Sequence, residues 1–136
     1  MRFDRFTTLA QEALSAAQSA ANSAGNPEIM PLHLLAALLA EKTSSTSSLL
    51  QKAGVDPSRV LDVAQAELRR LPCVQGGSAN SPSRELTEVF TTAERDALKM
   101  KDAYVSSEHL MLALADVKSG AKEVLSTLGL DRKRVL

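Results

Sequence analysis

The chain has 136 residues, a length that suits one domain. Hydrophobic residues make up 44% and aromatics only 3%, so Leu, Ala, Val and Met must build the core, a composition that favours helices over strands. Sixteen Lys and Arg balance sixteen Asp and Glu, which argues against nucleic acid as a partner, and the one basic cluster, Arg132-Lys133-Arg134, is too short to be a patch; the lone Cys73 excludes an internal disulfide, and no run approaches a membrane span.

The first helix is predicted over about Arg5 to Ala24. Phe6, Leu9, Ala10, Ala13, Leu14 and Ala17 fall on one stripe at the helical period. Gly25 and then Pro27 end it. Pro31 suits the first position of a second helix, Leu32 to Ala40, apolar on most sides and therefore central and buried. The polar run Thr43 to Ser48 reads as a loop. A short helix then carries Leu49 and Leu50 and stops at Gly54. Asp56 caps a fourth helix with Pro57 first, bearing Val60, Leu61, Val63, Ala64, Leu68 and Leu71.

Residues 72–82 read as a linker, with Gly76 to Ser81 as its flexible part. Ser81-Pro82 is expected to open the next helix, whose stripe is Leu86, Val89, Phe90, Ala93, Ala97 and Met100. Ser106 caps a helix holding Leu110, Met111, Leu112 and Leu114. A short helix runs from Gly120 to Leu128, and Asp131 caps a last helix that the chain barely begins.

The two halves repeat. Ile29 to Leu38 aligns with Val105 to Leu114, pairing His33 with His109 at a spacing of 76. Leu50-x-x-x-Gly54-Val55-Asp56-x-x-Arg59-Val60-Leu61 aligns with Leu125-x-x-x-Gly129-Leu130-Asp131-x-x-Arg134-Val135-Leu136, where the spacing is 75. The expectation is an all-α domain of two four-helix repeats related by a pseudo-twofold axis. The first repeat spans about 1–71 and the second about 83–136, its final helix truncated. A groove where two such lobes meet is a natural binding site.

Catalytic chemistry is hard to assemble from these residues. His33 and His109 have no Cys, Asp or Glu at ligand spacing on the same helix face, so each is expected to bond locally or pack in a first helical turn. Cys73 has no activating neighbour in Leu71-Pro72-Cys73-Val74 and reads as passive. There is no phosphate-binding loop and no nucleophile elbow. Asp102 and Glu108 bracket Tyr104-Val105. Glu108 complements a helix dipole in a first turn, and the pair also suits an acidic lip that meets a partner's N–H groups or cations.

With the repeat identified, four segments resemble the N-terminal domain of the Clp ATPases, most closely of the ClpB-type disaggregases: Met1 to Thr7, Pro31 to Leu39, Leu71 to Gly76 and Asp102 to Leu110. The resemblance implies the first domain of a longer AAA+ unfoldase, hexameric when complete, with ATP and Mg bound downstream and no cofactor in this domain. It implies unfolded or aggregated protein clients, or an adaptor protein, as partners. Beside it, the single cysteine, the neutral charge and the lack of a membrane span or apolar signal core are read as a cytoplasmic location with neither nucleic acid nor membrane as a partner, and the isolated domain is expected to be monomeric. The family's polar client-binding residues match Thr7, Asp102 and Glu108, and Phe90 and Tyr104 are the apolar candidates from the second repeat. Phe90 lies on its helix's main stripe and so also reads as core. His109 stands where ClpB-type domains often carry an apolar residue. The alternative is a ClpC-type domain, which resembles this chain at Ser107-Glu108-His109 and uses paired acids on phosphorylated arginine. In the first repeat, however, Pro31-Leu32-His33 lacks the acid.

Overall fold

A computed structural model describes residues 5–40, 45–73 and 81–130. These form α1 (Thr8–Ser23), α2 (Pro31–Leu39), α3 (Ser45–Lys52), α4 (Pro57–Arg69), α5 (Arg84–Lys99), α6 (Ser107–Asp116) and α7 (Gly120–Thr127). The fold is all-α and doubled: α1 matches α5, α2 matches α6 and α3 matches α7. The counterpart of α4 would begin near residue 132, so the expected last helix lies outside the described residues, as does most of the linker's flexible part.

Local chemistry sets the helix ends. Thr7 Oγ1 accepts from the Ala10 N–H at 3.2 Å, and Ser83 Oγ accepts from the Leu86 N–H at 3.1 Å, capping α1 and α5 alike. Asp56 accepts from the Ser58 N–H ahead of Pro57, as its sequence position predicts. Gly25 closes α1 at φ 73°, where the Asn26 N–H reaches the Ala21 carbonyl at 2.9 Å. Its counterpart after α5 is Lys101, held at φ 61°, a left-handed conformation that an L side chain adopts at a cost.

The core joins both halves. Leu34 and Leu35 of α2 and Leu110, Met111 and Leu114 of α6 are fully buried. α2 packs on α1 and α4, and α6 on α5, α7 and α3. The core face of α1 is Ala10, Ala13, Ala17 and Ala21, small enough for α2 to approach closely.

Four expectations need correction. Arg5 to Thr7 are not helical: Phe6 pairs with Val105, Thr7 is an extended cap and α1 starts at Thr8, while Leu9, expected on the core stripe, is 67% exposed. Ser81-Pro82 does not open α5. A residue before proline is pushed to extended backbone, and Ser81 and Ser83 both hydrogen-bond to Ile29, so Ser83 becomes the cap. Part of the polar run is helical, because α3 begins at Ser45. Thr46 and Ser47 are buried there, and Thr46 Oγ1 donates to the Leu38 carbonyl at 2.9 Å, so packing overrides a loop-like composition. Finally, α4 ends at Arg69 rather than reaching Leu71, and α5 ends at Lys99, placing Met100 at the cap and 42% exposed.

Candidate functional site

The halves are tied by two matching straps. Ahead of α1, Thr7 N–H donates to the Val105 carbonyl at 2.9 Å, and Val105 N–H donates to the Arg5 carbonyl at 2.8 Å. Ahead of α5, Ser83 N–H donates to the Ile29 carbonyl at 2.9 Å, and Ile29 N–H donates to the Ser81 carbonyl at 3.1 Å. Each strap therefore crosses to the other repeat, and both pairings are parallel. Proline at 82 costs no ladder bond, since the bonds use the residues on either side of it.

The first strap brings Thr7 beside the loop that carries Asp102 and Tyr104 and leads into Glu108 in the first turn of α6, so four of the six candidate site residues come together. That loop is held by a fifth, His109. The Ser106 N–H donates to His109 Nδ1 at 2.9 Å, so Nδ1 carries no proton and the neutral ring is protonated at Nε2. The Nε2–H donates to Asp102 Oδ2 at 2.8 Å. The His109 side chain is 8% exposed and that of Asp102 is 48% exposed, so the carboxylate braces the ring and still faces solvent. Tyr104 is 58% exposed, and Glu108 is exposed in the first turn of α6, where its charge suits the helix dipole.

Repeat one holds the same brace in neutral form. Met30 N–H donates to His33 Nδ1 at 2.8 Å, and His33 Nε2–H donates to Asn26 Oδ1 at 2.9 Å. Asn26 Nδ2 donates onward to the Pro72 carbonyl at 3.1 Å, sealing that loop with the chain that follows α4. Burial lowers the His33 pKa below its ordinary 6.5, with the Met30 hydrogen bond opposing in part. Both histidines thus bond locally in a first turn. This also settles the role of a Ser106–His109–Asp102 chain whose order resembles a hydrolase triad, with Ser106 Oγ 3.0 Å from Nδ1. The same histidine geometry recurs with Met30 at the serine's position, so the serine is a cap and the histidine a loop brace. Among the described residues, no group of three or more His, Cys, Asp or Glu is arranged to hold a metal ion, and no helix is long and apolar enough to cross a membrane. Cys73 is exposed, its thiol 3.8 Å from the Leu71 carbonyl.

Phe90, the sixth candidate, is 2% exposed and meets Phe6 edge to face, with centroids 6.0 Å apart and planes at 75°. It is a core residue, packed on Phe6 of the strap that carries Thr7. It also forms the floor of an open cavity of about 330 Å³ whose walls include Leu14, Ile29, Pro82 and Leu86. None of these four was picked out for binding from the sequence. Extending the 76-residue register would have flagged two of them: Pro82 is the counterpart of Phe6, and Leu14 of Phe90.

Comparison with known proteins accords with this geometry. Residues 5–128 match the Clp repeat N-terminal domain. The chain is 46% identical over 124 residues to the chaperone protein ClpB of Mycobacterium leprae, covering 90% of this chain and 15% of that protein. The Hsp104 N-terminal domain of Candida albicans superposes with a TM-score of 0.85 at 24% identity, covering 97% of this chain and 87% of the other. A ClpV N-domain solved in complex with a VipB peptide superposes at 0.76 and 23% identity, covering 96% and 82%. The domain these relatives share is non-catalytic, so the chain is a binding module rather than an enzyme. From residue 5 to residue 128, it belongs to the Clp repeat N-terminal domain family.

Proposed function

We propose that this domain is the substrate-recognition module of a ClpB-type protein disaggregase. It binds exposed apolar segments of unfolded or aggregated proteins and passes them to the AAA+ pore of a hexamer, whose downstream domains hold ATP and Mg. The chain spans 15% of the length of the ClpB relative, so hydrolysis and assembly belong to the remainder of such a protein. The observation that carries the reading is the lip: Asp102 and Tyr104 stand exposed on a loop braced by His109 and strapped to Thr7, and Glu108 stands exposed in the first turn of α6 that follows it. A rigid lip offering a phenol and two carboxylates meets apolar segments and flanking N–H groups without ordering itself on binding. Clients of many sequences require such modest, adaptable contacts. The peptide-bound ClpV N-domain supports a polypeptide as the class of partner.

Amide NMR titration with a permanently unfolded protein tests this. Shifts should cluster at Thr7 and residues 102–109, at micromolar to millimolar concentrations. Shifts scattered over the surface, or Glu108→Ala binding like the wild type, would refute the lip. A docking platform for one adaptor would use the same groove and predicts tight one-to-one binding with no shifts from an unfolded chain, whereas a ClpC-type domain that docks phosphorylated arginine needs an acid in each repeat. Leu32 stands, buried, where Glu108 stands in the second repeat, and this favours the ClpB-type reading.

A further inference from the structure

The cavity over Phe90 has a counterpart across the pseudo-twofold axis, and the counterpart is occupied by the chain itself. Phe6, in the strap that crosses to the second repeat, stands where Pro82 stands in the strap that crosses to the first. Phe90 likewise stands where Leu14 stands. Both rings are 2% exposed and pack edge to face. On the other side the pairing residues are a proline and a half-buried leucine, and about 330 Å³ is left open between the strap and α1. The backbone around the two places is the same, down to the paired hydrogen bonds at Val105 and Ile29.

We propose that this cavity receives one aromatic side chain of a bound polypeptide, which takes the place that the Phe6 ring fills in the other half. The proposal rests on the reading of the domain as a client-binding module, and it names the residue class that module selects. The volume sits at the small end of ligand sites, suited to one side chain with its flanking backbone. Ile29, Leu86 and Phe90 give an apolar floor. Phe90 already packs edge to face with one ring, and an incoming ring packs on the same side chain. Gln18 and Ser15 stand exposed at the rim, where their side chains can hydrogen-bond a peptide backbone. Gln11 is already engaged, its Nε2 donating to the Phe6 carbonyl at 2.9 Å, and so ties the filled strap to the wall of the open cavity.

The test uses three short neutral peptides, identical except for one central Phe, Leu or Ala, titrated into the domain by NMR. The Phe peptide should bind roughly tenfold or more tightly than the Ala peptide, with Leu between them, as expected for burying one ring. Its ring should show cross-peaks to Leu14 and Phe90. Pro82→Phe and, separately, Leu14→Phe rebuild the filled half and should abolish the Phe preference; melting temperatures verify that each variant is folded. Equal binding of the three peptides, or an unchanged preference in a folded Pro82→Phe variant, overturns the proposal. If the wild type shows no peptide preference yet an unfolded protein still shifts Asp102 and Glu108, the cavity assignment fails and the module reading survives. If neither ligand binds, both fail.

Discussion

Asp102 has two roles that different substitutions separate. Its carboxylate accepts the Nε2–H of a histidine whose side chain is 8% exposed, at 2.8 Å. Asp102→Ala leaves that N–H without its acceptor, a loss of about 1–3 kcal/mol for a buried donor. The Asp102 side chain is 48% exposed, so water enters the vacated space and the cost falls to about 1 kcal/mol. For a domain of this size, that lowers the melting temperature by about 3–5 °C. Asp102→Asn should cost less than about 0.5 kcal/mol, because Asn26 holds His33 in this same way at 2.9 Å in the first repeat. The charge, however, is gone. If the lip attracts cationic or N–H groups of a client, Asp102→Asn weakens binding by roughly two- to fivefold, the value of an exposed charge pair. Thermal melts and the unfolded-client titration, run on both variants, separate the effects. If Asp102→Asn destabilises as much as Asp102→Ala, acceptor geometry does not hold His109 and the comparison with Asn26 is wrong. Unchanged client binding in a folded Asp102→Asn variant removes the carboxylate from the lip.

Three further outcomes follow from single observations. Lys101→Gly should stabilise the domain by about 0.5–1 kcal/mol in urea melts, since φ 61° suits glycine, and Gly25→Ala should destabilise it by about 1–2 kcal/mol for the same reason in reverse. His33 is a base whose pKa is lower folded than unfolded. Its contribution is therefore complete above the ordinary 6.5 and is lost as pH falls from there toward the folded value; ring NMR should show His33 titrating below 6.5, and titration above it would refute the burial argument. Thr46→Val removes the donor to the Leu38 carbonyl at a fully buried site and should cost about 1 kcal/mol in the same melts, whereas no change would mean that α3 does not depend on that bond.

Much of this fold is legible in the sequence because capping and periodicity are local. Asp56-Pro57 announces α4, Pro31 announces α2, and the 76-residue register announces the duplication. What escapes is decided by distant partners. Arg5 to Thr7 carry helical periodicity, but their backbone groups find a stronger arrangement with Val105, roughly one hundred residues away. Ser45 to Ser48 look like a loop until Leu38 supplies an acceptor and α6 a packing surface. Of the site, Thr7, Asp102 and Glu108 are nameable from their resemblance to family positions and Tyr104 as an apolar candidate beside them, and the structure gathers them along one strap, one loop and the first turn of α6. The cavity was not, because its residues look like ordinary core positions on two stripes. Only the comparison of Pro82 with Phe6 distinguishes them.

That comparison extends to the whole duplication. At several equivalent positions around the straps, the two repeats solve the same geometric problem with different chemistry. Asn26 seals its loop to Pro72 with an amide, whereas Asp102 braces the same ring with a carboxylate that also faces water. Leu32 is buried where Glu108 is exposed, and Glu28 stands where the second repeat presents Tyr104. Phe6 fills a site that Pro82 leaves open. A symmetric scaffold allows this because the folding constraint at each position is met by geometry common to both halves: a capped helix, a braced histidine and a crossed strap. Side chains beyond that minimum are then free to differ. The positions where the halves differ, rather than those where they agree, are therefore where binding should be sought. They fall at two places, the acidic lip at one strap and the open cavity at the other. An extended polypeptide long enough to reach both would be held by two weak contacts acting together, which raises affinity without demanding a close fit at either.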